Sequence, residues 1–198
     1  MREPKLIPSV TLICVDCYNY GLAVEALRKC LKEIIPYKAL FLTDIEIELD
    51  DIQVVKIPTI KNKKEYSYFI IKDLAKYFHT THCLLIQHDG YVLSGDAWTS
   101  EFLKYDYIGA PWLYPDDHNV GNGGFSLRSH RLQMLLATDS FIKPTHPEDE
   151  NICRLYRDYL EKEYEINFAP QEIAERFSFE LNKPVCPTFG FHGHFHQQ

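Results

Sequence analysis

Four short stretches of this chain place polar side chains where they could do chemistry together. Gln87, His88, Asp89 and Gly90 follow a short apolar run. A carboxylate at a strand end offers oxygen to a hard divalent cation, and the glycine beside it allows close backbone approach. The same Asp-Gly pair also suits a plain hairpin turn. Gly121, Asn122, Gly123 and Gly124 come ahead of a predicted helix, where glycine-rich backbone can turn N–H groups toward an anion or sugar hydroxyls. The segment lacks the closing Gly-Lys-Ser/Thr of a P-loop and the spacing of a dinucleotide fingerprint. It reads equally as a glycine turn, with Ser126 or Ser129 as helix caps. Glu148 and Asp149 follow Pro147 at a predicted helix start. Acids there complement the helix dipole, or one of them is a general base that deprotonates an acceptor hydroxyl. Finally, His192 lies in an aromatic C-terminal segment as a candidate metal ligand, whereas His194 and His196 fall so near the end that disorder is expected of them.

Cys14 and Cys17 have the spacing of a redox pair. A thioredoxin-like reading would make Cys14 a reactive thiol of low pKa, but Ile60 to Glu65 is polar where that fold needs a buried strand. Cys14, Cys30, Cys83, Cys153 and Cys186 sit in apolar surroundings and read as small buried hydrophobes. A structural zinc has no second Cys/His pair at suitable spacing.

Alternating strands and helices must position these groups. Val10–Val15 is a strand closed by Asp16, followed by a helix over Gly21–Ile35 with Leu22, Ala26, Leu27, Cys30, Leu31 and Ile34 on its apolar face. Pro36 ends it. Lys38–Leu42 is a second strand, closed by Thr43 and Asp44, and Ile52–Ile57 a third. A helix over Lys64–Phe78 buries Tyr66, Phe69, Ile70, Leu74, Tyr77 and Phe78, and leads to the wholly apolar strand Cys83–Ile86. This pattern predicts an α/β fold with a central, mostly parallel sheet flanked by helices. In such sheets ligands bind beyond the carboxyl ends of the strands, and three successive strands here end in polar tips: Asp16 with Tyr18 and Asn19, Thr43 with Asp44, and Gln87 to Asp89. Beyond these, Tyr105–Trp112 is an expected edge strand stopped by Pro111, and further helices are predicted near Leu132–Ala137 and Glu150–Tyr164.

With 198 residues, 45% of them hydrophobic and 25% charged, the chain suits one domain with a real core. Thirteen Tyr and twelve Phe suit a site that stacks on flat rings, and they also pack cores. The net charge of −7, without a dense basic run, argues against nucleic acid as a partner. Lys61, Lys63 and Lys64 are a short loop cluster only. An acidic protein that binds a phosphorylated ligand would use a metal ion to mediate the charge. No apolar run reaches the ~20 residues of a transmembrane helix, no secretory leader is recognisable, and a reducing, cytoplasmic location is expected.

The blocks Gln87–Gly90, Tyr105–Trp112, Val120–Ser129, His146–Asp149 and Pro187–His192 occur in an order that resembles a domain family of glycosyltransferase-like proteins, long labelled as of unknown function, in bacteria, fungi and large viruses. That family is similar to GT-A glycosyltransferases. The resemblance implies one GT-A-like domain over 1–198, with a nucleotide-binding half at about 1–95 and a smaller acceptor-side, catalytic half at about 96–198. It further implies a nucleotide-sugar donor (a UDP-sugar favoured), a glycan acceptor and a role in polysaccharide biosynthesis. Asp16, Tyr18, Asn19, Thr43, Asp44 and Ser67, with Tyr66 beside it, would face the nucleotide. Gln87, His88 and Asp89 occupy the place of the Asp-X-Asp motif, with Gln87 in place of the first acid. Asp89 and His192 would then hold Mn²⁺ or Mg²⁺. Gly123 and Gly124 would border the donor sugar and Trp112 would stack on a sugar, while Asp149, or failing that Glu148, would be the base of an inverting transfer. A non-catalytic nucleotide-sugar-binding module and a metal-dependent nucleotide-sugar hydrolase are the rival expectations.

Overall fold

The computed structural model describes residues 3–181, 183–184 and 186–193. In chain order its elements are β1 (Lys5–Val15), α1 (Tyr20–Glu33), β2 (Ile34–Thr43), β3 (Gln53–Lys56), α2 (Lys63–Lys72), β4 (His82–Ile86) and β5 (Gly90–Val92). There follow β6 (Tyr107–Ile108), β7 (Phe125–Ser129), α3 (His130–Thr138), the short turn α4 (Glu148–Glu150), α5 (Arg157–Tyr164), α6 (Gln171–Phe177), β8 (Ser178–Phe179) and β9 (Gly190–His192).

Six strands form one sheet in the order β3-β2-β1-β4-β7-β6. The first four are parallel, and β7 runs antiparallel to both β4 and β6. The fold is the expected α/β sheet, mostly parallel and flanked by helices. Both faces are buried, as parallel strands require. Leu12, Cys14, Leu84 and Ile86 pack with α1 on one face, while Ile13, Val15, Cys83 and Leu85 pack with α2 on the other. A second sheet, β5-β9-β8, was not expected from the sequence.

Several predicted boundaries move. Pro36 lies inside β2 rather than ending a helix. It is tolerated there because β3 pairs only with Leu40–Thr43, so the strand edge beside Pro36 is open. Leu22 is exposed, and Ala23 takes its place on the buried face of α1. The glycine-rich segment does not open a helix. It leads into β7, and Ser129 at the end of that strand caps α3 by accepting from the Leu132 N–H at 3.0 Å. The predicted helix over Glu150–Tyr164 is interrupted: a π-helical turn over Asn151–Leu155 and a break at Tyr156 separate α4 from α5. Many aromatic residues serve the core, where Trp98, Phe102, Phe125, Phe177 and Phe189 pack ring to ring. Among the described residues no helix is long and apolar enough to cross a membrane.

Candidate active site

The strand order creates a switch point. The connection through α1 carries the chain from β1 to β2 on one side, and the connection through α2 arrives at β4 on the other. Between the ends of β1 and β4 a crevice must open. A cleft of about 650 Å³ lies there, a size that suits a small-molecule ligand. It is lined by Asp16, Tyr18 and Asn19 after β1, by Gln87 and His88 after β4, and by Glu148 and Asp149 from α4. Asn122 and Gly124 before β7, and His192 from β9, complete that part of the wall. Carboxylates 133 positions apart in sequence, Asp16 and Asp149, thus border one pocket.

Local hydrogen bonds fix these groups. Asp16 accepts from the Tyr18 and Asn19 N–H groups at 2.7 and 2.6 Å, folding the loop before α1, and its other oxygen lies 3.3 Å from His88 Nδ1. The Tyr18 hydroxyl donates to the Lys61 carbonyl and leaves the ring largely exposed. Gln87 N–H donates to the Gly124 carbonyl at 2.8 Å, which ties the tip of β4 to the start of β7.

Two ionic clusters close the cleft. In one, Arg128, fully buried within β7, pairs with Glu148 at 3.2 Å, while Asp149 accepts from the Gly123 N–H at 2.9 Å. Burial and the Asp149 carboxylate push the Glu148 carboxyl up, against the pull of Arg128. In the other, His192 Nε2 lies 3.2 Å from both Asp89 Oδ1 and Gln87 Oε1, and Nδ1 lies 3.0 Å from Glu180 Oε1. Burial works against a charge on His192, but Asp89 and Glu180 outweigh it and raise its pKa to about 9. Asp89, Gln87 and His192 bring two oxygens and one nitrogen together, a donor set that fits Mg²⁺ or Mn²⁺.

The glycines serve these clusters. A Cβ on Gly123 would lie 2.4 Å from Glu148 Oε1, and one on Gly124 would lie 2.2 Å from His192 Nε2. The Gly123 N–H, expected to face a sugar, is taken by Asp149. Gly124 does line the cleft, but Gly123, Asp89, Thr43, Asp44 and Ser67 do not. Thr43 is fully buried, Asp44 accepts from the Tyr20 hydroxyl at 3.0 Å, and Ser67 pairs with His146 at 3.0 Å. Trp112 borders a smaller cleft of about 320 Å³ that shares Glu180 with the first. His194 and His196 lie outside the described residues.

Sequence reasoning missed Glu180, Asn122, His146, Lys61 and Lys63 as cleft residues. Lys61 and Lys63 carried a signal, as basic residues just before a helix in an acidic chain. Glu180 carried none. The redox reading of Cys14 is overturned: burial pushes its thiol well above the ordinary value. Cys186 is only half-buried, unlike the other cysteines. Among the described residues His118, Asp158 and Glu161 also have potential ligand atoms within 4.8 Å of one another. They sit near the surface, where Glu161 pairs with Arg157, Asp158 pairs with Lys162, and His118 lies 3.6 Å from Asp158.

Residues 51–192 match a family described as proteins of unknown function, DUF5672. The chain belongs to this family. No curated protein matches its sequence. Among solved structures, the apo-form glycosyltransferase GlyE of Streptococcus pneumoniae TIGR4 aligns with a TM-score of 0.52 at 10% identity, over 94% of this chain and 54% of that one. This DUF5672 chain therefore spans about half the length of GlyE. The galactosyltransferase LgtC, solved with donor and acceptor sugar analogues, aligns with a TM-score of 0.51 at 11% identity, over 92% of this chain and 86% of that one. At such identities the likeness is one of fold, and the fold is that of GT-A glycosyltransferases.

Proposed function

We propose that this chain transfers a sugar from a nucleoside-diphosphate sugar, a UDP-sugar by preference, to a hydroxyl group of a glycan acceptor, with inversion. The reading rests above all on one observation: the cleft at the switch point gathers Asp16, Gln87, His88, His192 and Asp149 in a fold shared with glycosyltransferases. In this reading the Asp16–Asn19 loop and Tyr18 receive the nucleoside, and Lys61 and Lys63 at the cleft wall face the diphosphate. Asp89, His192 and Gln87 would hold Mn²⁺ or Mg²⁺, which when bound offsets charge on the departing diphosphate. Asp149 takes the proton of the acceptor hydroxyl as that oxygen bonds to the anomeric carbon and the bond to the diphosphate breaks. Glu148 is the poorer base, because its carboxylate is the partner of a buried guanidinium. Trp112, bordering the neighbouring cleft, offers a face to the acceptor sugar.

The test is a thermal-shift panel of UDP-, GDP-, dTDP- and CMP-sugars with and without Mn²⁺, followed by transfer assays on any donor that stabilises the chain. Asp149→Asn is expected to lower transfer by about 10²–10⁴-fold while donor binding persists. Donor cleavage by water, unaffected by any acceptor, would identify a hydrolase instead. Binding without turnover would identify a binding module.

A further inference from the structure

The cluster around His192 contains a carboxylate that the proposed function leaves without a role. Glu180 follows β8, and β8 pairs with β9 so that Phe179 stands opposite Phe191. That register makes Glu180 the neighbour of His192, and its Oε1 lies 3.0 Å from Nδ1. The pair is largely withdrawn from solvent, with side-chain exposures of 15% for His192 and 17% for Glu180. Asn122 Nδ2 also approaches Nδ1, at 3.3 Å. Its amide oxygen accepts from the Gly124 N–H at 3.2 Å, so the nitrogen is the end turned to the ring. The amide and the carboxylate thus ask opposite things of Nδ1. A charged acceptor at 3.0 Å outweighs a neutral donor at 3.3 Å, and Nδ1 therefore carries a proton and donates it to Glu180.

We infer that Glu180 is a positioning residue for the divalent-cation site: it fixes His192 with Nδ1–H bound and Nε2 turned to Asp89 and Gln87, and it supplies a second negative charge. The inference rests on the metal-assisted reading given above. Two features carry it. First, the group that orients a ligating imidazole through its other nitrogen sets both the ring angle and the ligand basicity. Second, the three donors facing one another include a single carboxylate, Asp89, because Gln87 is neutral. A dication there keeps an uncompensated charge unless another anion stands close behind, and Glu180 is that anion. It acts through His192, with no direct ligand role.

Mn²⁺ affinity of the full chain, titrated by electron paramagnetic resonance without any donor, tests this in Glu180→Ala and Glu180→Gln. The alanine variant is expected to bind Mn²⁺ about 10–100-fold more weakly. The glutamine variant keeps an acceptor for Nδ1–H and loses the charge, so it should fall between alanine and wild type. Glu180→Ala binding within twofold of wild type overturns the inference. Should Glu180→Ala fail to fold, the glutamine variant decides by the same criterion. A second readout is the ¹⁵N spectrum of the His192 ring in the Mg²⁺-loaded protein: protonated Nδ1 with unprotonated Nε2 is expected, and the opposite tautomer overturns the inference. A wild-type chain that binds nucleotide sugars but no divalent ion overturns the metal part of the proposed function and this inference with it. Metal bound equally by wild type and both variants overturns this inference alone.

Discussion

Gly123 and Gly124 are adjacent in the chain, yet each faces an ionic cluster built on a different principle. Beyond Gly123, the cation is Arg128: fully buried inside a strand, permanently charged, and matched to Glu148. Beyond Gly124, the cation is His192, which can give up its proton, set among Asp89, Glu180 and Gln87. The first cluster is a fixed part of the core that holds Gly123 and, through it, Asp149. The second is a negative site whose present occupant is exchangeable. On the metal-assisted reading proposed above, the cleft holds one group still and admits a dication beside it, and the two clusters divide those tasks.

The strongest way to break this comparison is to remove the fixed cation. Arg128→Met leaves Glu148 buried with no counter-charge, and stripping one partner from a buried pair costs about 3–5 kcal/mol. Urea unfolding should show that loss, and adding Glu148→Leu to the same chain should restore most of it. A single variant as stable as wild type would mean that the pair is not a structural unit.

The exchangeable cation predicts a different signature. The pKa of His192 stands at about 9 in the folded chain, raised from the ordinary histidine value near 6.5. A raised pKa means that the folded state holds the proton more tightly than the unfolded one. The associated stability is complete below about pH 6.5 and fades as pH rises through about 9. With a chelator present, wild type should lose on the order of 2 kcal/mol between pH 6.5 and 9.5, measured by urea midpoints. His192→Gln should flatten that dependence. Arg128 keeps its charge across this range, so a slope that survives His192→Gln would have to come from groups other than these two cations.

The two clusters also differ in how legible they were. Strand tips at Asp16, Thr43 and Gln87–Asp89 could be read because the strands before them carry apolar runs, and these three strands, with β3, form the parallel part of the sheet. The His192 cluster depends on β5, β8 and β9, none longer than three residues. Runs so short have no periodicity, and Gly90 meets His192 only through pairing across 102 positions. Glu180 was invisible for that reason. The Arg128 cluster was hidden by its own chemistry, because an arginine inside Phe125–Ser129 looks like the polar face of a helix. Its complete burial as a strand residue depends on partners drawn from other elements, Glu148 20 positions on and Tyr107 21 positions back. Cleft residues could be read where one strand end sufficed, at Asp16–Asn19 and Gln87–His88, although Thr43 and Asp44 at another strand end do not line it. Others were missed where tertiary pairing assembled them.

The finest test sets the adjacent glycines against each other. In Gly123→Ala the new methyl would meet Glu148 Oε1 at 2.4 Å and Arg128 Nη2 at 3.0 Å. Both groups are buried and tied to each other, so neither moves without loosening the pair, and the cost should be about 1–3 kcal/mol of stability. In Gly124→Ala the methyl would meet His192 Nε2 at 2.2 Å. That ring ends a short strand beside the cleft and keeps 15% of its side chain exposed, whereas Arg128 has none. Measured at pH 9.5, where the stability tied to the His192 proton is already gone, displacement of the ring should cost about 1 kcal/mol or less, near the low end for overpacking. It would nevertheless scatter the donors that face Asp89, so Mn²⁺ binding should be lost while the urea midpoint hardly moves. Gly123→Ala should do the reverse, lowering the midpoint and sparing much of the metal affinity. The opposite pattern would mean that the fixed and exchangeable roles have been assigned to the wrong sides of the cleft.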